Sequence, residues 1–344
     1  MASSDSPHYV DIAMDAALAT ALIRVKLPEF PKVAAIADVR VGFNNHCYVV
    51  TTPDQRSYIL RLTKDSWPAT KIVAEAASLA AVRYWKLDIP VPKLIAFNEV
   101  SDPTWHVRWM LMEKLPGRLL DDVWDGADEA TRAKLALQIQ TILKTLQTPR
   151  FSQIGGWVFD NDGATPIVGP YFDGNWGPFD SEADWLGTLF ENQVRQTLTA
   201  EALAPLRFLV APARAALKQY LETTMSPSPL VLFHGDFAFR NMLVDDQNVV
   251  SGILDWEWCG VMPRWREYVD ASFEDRNVLS YVPSLEYENR EEYTQRWHVH
   301  QLIQGFAPWQ IGAWPEKDAQ YVAEAIVTIE AAVAHLEACT STTN

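Results

Sequence analysis

Between Leu230 and Trp258 the chain reads LVLFHGDFAFRNMLVDDQNVVSGILDWEW, an order that few folds accommodate. An apolar run halts at His234-Gly235-Asp236, and Asn241 follows five residues after the aspartate. Two more apolar runs come next, and Asp255 then stands beside Trp256 and Glu257. LVLF is predicted as a short buried strand. NMLVD and VVSGIL are predicted as two strands joined across Asp245 to Asn248, the polar cluster expected of a hairpin loop. Asp236 and Asn241 then share the loop before the hairpin, while Asp255 follows its second strand, so closing the hairpin brings all three together. The bland alternative, a turn-rich hairpin with incidental polar residues, requires three independent spacings to coincide.

Two hard oxygen donors from separate loop ends, Asn241 and Asp255, suit magnesium, which keeps several waters and binds through few protein groups plus substrate phosphates. Asp236 lies close by and is left to accept a proton. A base, an asparagine and a metal-binding aspartate in that order form the layout of phosphoryl transfer, in which the protein positions reactants and neutralises developing charge.

Upstream, YILRL has a period of two that sets Ile59 and Arg61 on one strand face and Tyr58, Leu60 and Leu62 on the other. KIVAEAASLAAVRYW reads as a helix whose stripe of Ile72, Leu79 and Val82 includes Glu75 where a hydrophobe is expected. IPVPKLIAF reads as extended, and WMLMEKLPG as a strand ending at the turn signal Pro116-Gly117, taken as a hinge. Beyond it Leu135, Ile139, Ile142 and Leu146 line one helical face. Gly155 to Gly177 shows no period and reads as a long ordered loop. Helical patterns resume from Glu182 through Tyr220. DIAMDAALATALI, which contains Asp11 and Asp15 and lacks a basic leader, reads as an amphipathic helix rather than a signal peptide.

These motifs carry a family resemblance. HGDFAFRNMLV followed by ILDWEW resembles the catalytic and metal-binding motifs of the aminoglycoside phosphotransferase and choline kinase family, small-molecule kinases that share the protein-kinase fold. The resemblance implies Asp236 as catalytic base, Asn241 and Asp255 as magnesium ligands, and His234 as the motif histidine that braces the loop. VGFNNHCYVVTT resembles the family's loop over the nucleotide phosphates, with a single glycine, Gly42, beside Asn44 and Asn45. YILRL resembles the phosphate-contacting strand, where Arg61 stands in place of the lysine of many relatives, Glu75 its helix partner, and MLMEKLPG the adenine hinge with Met112, Glu113 and Leu115. Arg61 and Glu75 would form an ion pair between strand and helix, with Ile59 covering the base.

The implied fold is α+β, protein-kinase-like and two-lobed: a small N-terminal β-sheet lobe with one key helix (residues 1–113, with a leading helix) and a larger, mainly helical C-terminal lobe (residues 114–344). The implied activity is an ATP- and magnesium-dependent transfer of the γ-phosphate to a hydroxyl of a small molecule. A net charge of -15 favours a cationic or amine-bearing acceptor and argues against nucleic acid, which needs a basic stripe. The rival is a pseudokinase-like binding module with the same fold and no transfer. A metal-dependent hydrolase would need more His or carboxylate ligands than this segment supplies.

Other residues admit two readings. Asn44 and Asn45 are turn residues or nucleotide contacts. Glu257 is a third metal-site acid or, more in keeping with its neighbours, a salt-bridge partner of Arg264 or Arg266. Trp297, Trp309 and Trp314 fill a helical core or present aromatic faces to an ammonium group. The 48% hydrophobic content, with no apolar run near eighteen residues, indicates a globular protein without a membrane span, placed in the cytoplasm. Three scattered cysteines, Cys47, Cys259 and Cys339, suggest reduced thiols rather than disulfides or a zinc site.

Overall fold

The period of two in SYILRLTK organises the N-terminal lobe. The computed structural model describes residues 12–39, 45–173, 176–270, 287–308, 310–312 and 315–341. The lobe contains α1 (Ala16–Arg24), β1 (Ala35–Val39), β2 (Asn45–Thr51), β3 (Ser57–Lys64), α2 (Ala69–Tyr84), β4 (Leu94–Asn98) and β5 (Val107–Glu113). The strands form an antiparallel sheet in the order β1-β2-β3-β5-β4. Leu60 and Leu62 point to one face and are fully buried with Tyr48, Val50, Trp109, Leu111 and the apolar side of α1. Ile59 lies opposite Met112 on the other face, which joins the main core through α2.

α1 begins later than the sequence suggested. Asp15 accepts from Leu18 N at 2.7 Å and caps the helix, so Ile12, Ala13 and Met14 stay non-helical, while Asp11 lies outside the described residues. α2 buries Ile72, Leu79 and Val82 as expected, and with them Lys71 and Glu75.

The second lobe is larger and mainly helical. It contains β6 (Arg118–Leu119), α3 (Leu120–Trp124), α4 (Glu129–Leu146), β7 (Gly155–Phe159), β8 (Pro166–Gly169), α5 (Glu182–Thr199), α6 (Val210–Thr223), β9 (Leu230–Phe233), β10 (Met242–Val244), β11 (Val250–Ile253), β12 (Gly260–Pro263), α7 (Arg266–Asp270), α8 (Arg290–Gly305) and α9 (Asp318–Ser341). The stripe of Leu135, Ile139, Ile142 and Leu146 is buried on α4. Two small sheets, β11-β10-β6 and β8-β7-β12-β9, frame the segment between Leu230 and Pro263.

The stretch from Gly155 is not a loop throughout, as the sequence suggested. β7 and β8 pair as a hairpin with Trp157 opposite Val168, and β7 also pairs with β12. The turn between them runs through Asp160 to Gly163, where Asp162 Oδ1 accepts from Ala164 N and Thr165 N at 2.8 Å. These strands pack on α2, so the hairpin braces the helix that carries Glu75.

Between the lobes, Gly117 has φ +120°, and a Cβ there would meet Ser251 Oγ at 2.6 Å and Val244 O at 2.8 Å. Only glycine suits a turn this tight against the β10-β11 hairpin. Among the described residues no helix is long and apolar enough to cross a membrane. Trp297 is half-buried against the core and stacks with Tyr293 at 6.4 Å; Trp309 and Trp314 lie outside the described residues.

Candidate active site

β9 delivers the segment from His234 to Asn241. Gly235 has φ +86°, and a Cβ on it would come within 2.7 Å of Trp258 Cβ, so the chain can turn here only without a side chain. The turn is held from below by Glu267 of α7, which accepts from His234 N at 2.6 Å and from Gly235 N at 3.2 Å. No sequence signal marked Glu267.

His234 is completely buried and makes two bonds that fix its tautomer. Nδ1 accepts from Asp236 N at 3.1 Å, so Nε2 carries the hydrogen and donates to Leu254 O at 3.0 Å. Burial, aided by the charge of Arg240, lowers its pKa to about 4. Bonded at both nitrogens and packed edge-on against Trp256, His234 braces the loop. It touches backbone on both sides, and its contacts leave no nitrogen for a reactant.

The same bonds draw the separate motifs together. Asn241 Nδ2 donates to Asp236 Oδ2 at 2.6 Å and to Asp236 O at 2.9 Å, while Leu254 N donates to Asn241 O at 2.8 Å. Asp255 follows with φ +62°, a left-handed conformation uncommon for a residue with a side chain. Asp236, Asn241 and Asp255 thus meet at the mouth of one hairpin, as the spacing suggested. Arg240 also pairs with Asp236 Oδ1, a contact four residues along that the sequence reading did not anticipate.

Facing this hairpin is a buried cluster of charge. Arg61 pairs with Glu75 across strand and helix, and its Nη2 donates to Asp255 Oδ1 at 3.1 Å and to Glu257 Oε2 at 2.6 Å. Glu257 Oε2 also pairs with Lys71 and accepts from Asn45 Nδ2 at 2.9 Å. Glu257 was expected to meet Arg264 or Arg266. Arg264 instead pairs with Glu288 at 2.9 Å, Arg266 bonds His300, and the cations of the facing lobe take Glu257. Three carboxylates share two cations. Burial raises Glu75 to about 7 and also raises Asp255, against the pull of Arg61. Burial would raise Glu257 as well, but Lys71 and Arg61 overrule it and bring it to about 2.

The remaining candidates are dispersed around the cluster. Asn45 opens β2 with its amide fully engaged, since Oδ1 accepts from Thr63 Oγ1 at 2.8 Å. Asn44 and Gly42 lie outside the described residues. Ile59 and Met112 face each other on β3 and β5. Glu113 is exposed, and its N–H donates to Lys93 O at 2.9 Å. Leu115 is half-buried, with Cδ1 2.8 Å from the position a Cβ on Gly252 would take.

Two oxygens in this geometry remain available to a cation. Among the described residues Asn241 Oδ1 and Asp255 Oδ2 accept no hydrogen bond, while the other polar atoms of the same side chains are engaged. Two hard donors with room for waters and phosphate oxygens match what magnesium takes. No cluster of three or more His, Cys, Asp or Glu among the described residues forms an all-protein metal cage.

A model of the phosphotransferase enzyme family matches residues 35–309. The chain belongs to that family. As a phosphotransferase family member it has solved structural neighbours of the protein-kinase-like type, and its α+β fold is theirs. One is a thermostable mutant of the aminoglycoside phosphotransferase APH(4)-Ia in a ternary complex with ADP and hygromycin B. It matches with TM-score 0.58 and 14% identity over 94% of this chain and 97% of that one. A putative fructosamine-3-kinase from Thermobifida fusca matches with TM-score 0.60 and 19% identity over 94% and 99%. Identities this low establish the fold alone. The protein is also 26% identical over 163 residues to Altered inheritance of mitochondria protein 9, mitochondrial, of Lodderomyces elongisporus. That match takes in 44% of this chain and spans a quarter (25%) of the length of the relative.

Proposed function

We propose that this phosphotransferase moves the γ-phosphate of ATP to a hydroxyl of a small molecule. The observation that carries the reading is the gathering of Asp236, Asn241 and Asp255 at one end of the hairpin, with Arg61 of the facing lobe bonded to Asp255. Asp236 is the group that orients the acceptor hydroxyl and takes its proton. Asn241 steers it by holding Oδ2, and Arg240 pairs with its Oδ1. Asn241 Oδ1 and Asp255 are the ligands for magnesium, whose charge neutralises phosphate oxygens when it is bound. Arg61, fixed by Glu75, is the cation aimed at the phosphates, and its planar fork suits two oxygens at once.

Ile59, Met112 and Leu115 supply the apolar surface for the adenine, with Glu113 beside the hinge backbone. Asn45 acts indirectly, by holding Glu257. We place the lobe boundary at 113/114, where β5 ends. The solved aminoglycoside phosphotransferase in complex with ADP and hygromycin B supports a cationic or amine-bearing acceptor here. A binding module without transfer draws on one observation, the hold of Arg61 on Asp255. ATP consumption measured with a panel of small alcohols and amino alcohols separates the two. Acceptor-dependent turnover that Asp236→Ala removes supports transfer; nucleotide binding without turnover on any acceptor favours the binding module.

A further inference from the structure

Lys71 lies in the first turn of α2, is 1% exposed, and was not singled out by any motif. Its ammonium carries three donors, yet among the described residues its one hydrogen-bond acceptor is Glu257 Oε2. The rings of Trp67 and Phe172 lie 5.1 and 5.8 Å from Nζ. A buried ion pair adds little stability over apolar side chains of the same volume, so stability alone does not account for a lysine here.

What the pair connects accounts for it better. Glu257 stands two residues beyond Asp255, on the loop proposed to hold magnesium. Its Oε2 is shared by Arg61 from β3, Asn45 from β2 and Lys71 from α2. Glu75 lies one turn beyond Lys71 on the same helix face and takes Arg61. α2 is therefore tied at two points: to β3 through Glu75 and Arg61, and to the Asp255 loop through Lys71 and Glu257. With Lys71 absent, Glu75, Asp255 and Glu257 would compete for Arg61 alone, and the first turn of α2 would lose its tie to the Asp255 loop.

Resting on the function proposed above, we propose that Lys71 is a positioning residue of the phosphate site. Through Glu257 it fixes the first turn of α2 to the Asp255 loop and leaves Arg61 oriented for a nucleotide's phosphates. Lys71 acts through its partner and need not touch the nucleotide.

The test uses the full chain, with Mg·AMP-PNP as the calorimetric probe and the melting temperature recorded beside it. Lys71→Met keeps the volume and removes the charge. Its Kd should rise about 10-fold or more, the range of coupling within one ion-pair network. Its melting temperature should fall by several degrees, because three buried carboxylates are then left to one cation, so the titration is run well below it, where the variant is folded. Lys71→Arg, which keeps the charge and reaches Glu257, should restore the Kd to within about threefold. Lys71→Met with Glu257→Gln should bind no worse than Glu257→Gln alone, because both changes open the same tie. Should Lys71→Met lose the fold, Lys71→Gln replaces it with the same expected loss of affinity.

Wild-type affinity in the folded charge-neutral variant overturns the inference. So does a loss that Lys71→Arg shares in step with a falling melting temperature, since that is the behaviour of a merely structural residue. A wild-type protein that binds no Mg·AMP-PNP overturns the function reading itself, a separate result.

Discussion

His234 makes the stability of the fold depend on pH, and the effect can be worked from its surroundings. The unfolded chain binds a proton at this residue below about pH 6.5, whereas the folded protein resists until about pH 4, chiefly because the ring is buried and secondarily because of Arg240. The folded pKa is depressed and the unfolded state binds more protons across that window, so stability is lost as the pH falls through it. The linkage amounts to about 2 kcal/mol by pH 5 and about 3 kcal/mol once the pH drops below 4. His234→Gln keeps a donor for Leu254 O and removes the titration. It should cost about 1–3 kcal/mol at pH 8, because Asp236 N loses its acceptor. Urea unfolding of both proteins from pH 8 to pH 5 isolates the effect, since Glu75, Glu257 and His300 titrate in both and cancel in the difference. The gap between the two should close by about 2 kcal/mol at pH 5. Parallel stability curves would refute the argument that His234 is held neutral by burial.

Asp236→Ala should lower turnover by about 10²–10⁴-fold while leaving the Kd for Mg·AMP-PNP near wild type; joint loss of both would mean its role is misassigned. Asp255→Ala should reduce the gain in nucleotide affinity that magnesium confers, measured by titration with and without the metal. Gly235→Ala places a Cβ 2.7 Å from Trp258 at φ +86° and should destabilise by more than about 1 kcal/mol with loss of turnover, read by denaturant unfolding and ATP consumption. Arg296→Met should cost about 3–5 kcal/mol in the same unfolding assay. It leaves Glu182, 3.0 Å from Arg296 Nε, without a cation and bonded only to Trp265 and Ser228 N.

The hairpin after Leu230 was legible because its signals are local: strand, polar loop, strand, turn and strand succeed one another within thirty or so residues, and the backbone has few ways to close them. The alternation in β3 and the stripe in α2 were legible for the same reason, since each is a period read against a regular element. What escaped the sequence depends on distance or on competition. Lys71 meets a partner 186 residues away. On α2 it shares a face with Glu75, so a second charge in the apolar stripe was the available signal. Glu257 was assigned to Arg264 or Arg266 by proximity along the chain, whereas two cations of the facing lobe, Arg61 and Lys71, pair with it. β7 and β8 were hidden by the glycines, prolines and aspartates around them, although Trp157, Phe159, Ile167 and Val168 carry the aromatic and β-branched character of strands. Asn45 reads as a turn residue, yet it begins a strand, and its amide is committed to Glu257 and Thr63.

The central claim is that Asn241 and Asp255 hold the metal while Asp236 attends the acceptor. A crystal structure with magnesium and AMP-PNP tests it most directly. The account predicts Asn241 Oδ1 and an Asp255 oxygen about 2.1 Å from the metal. It also predicts Arg61 within hydrogen-bond reach of a phosphate, and Asp236 facing the vacant side of the γ-phosphate. A metal held elsewhere, or Asp236 turned away from that phosphate, would contradict it.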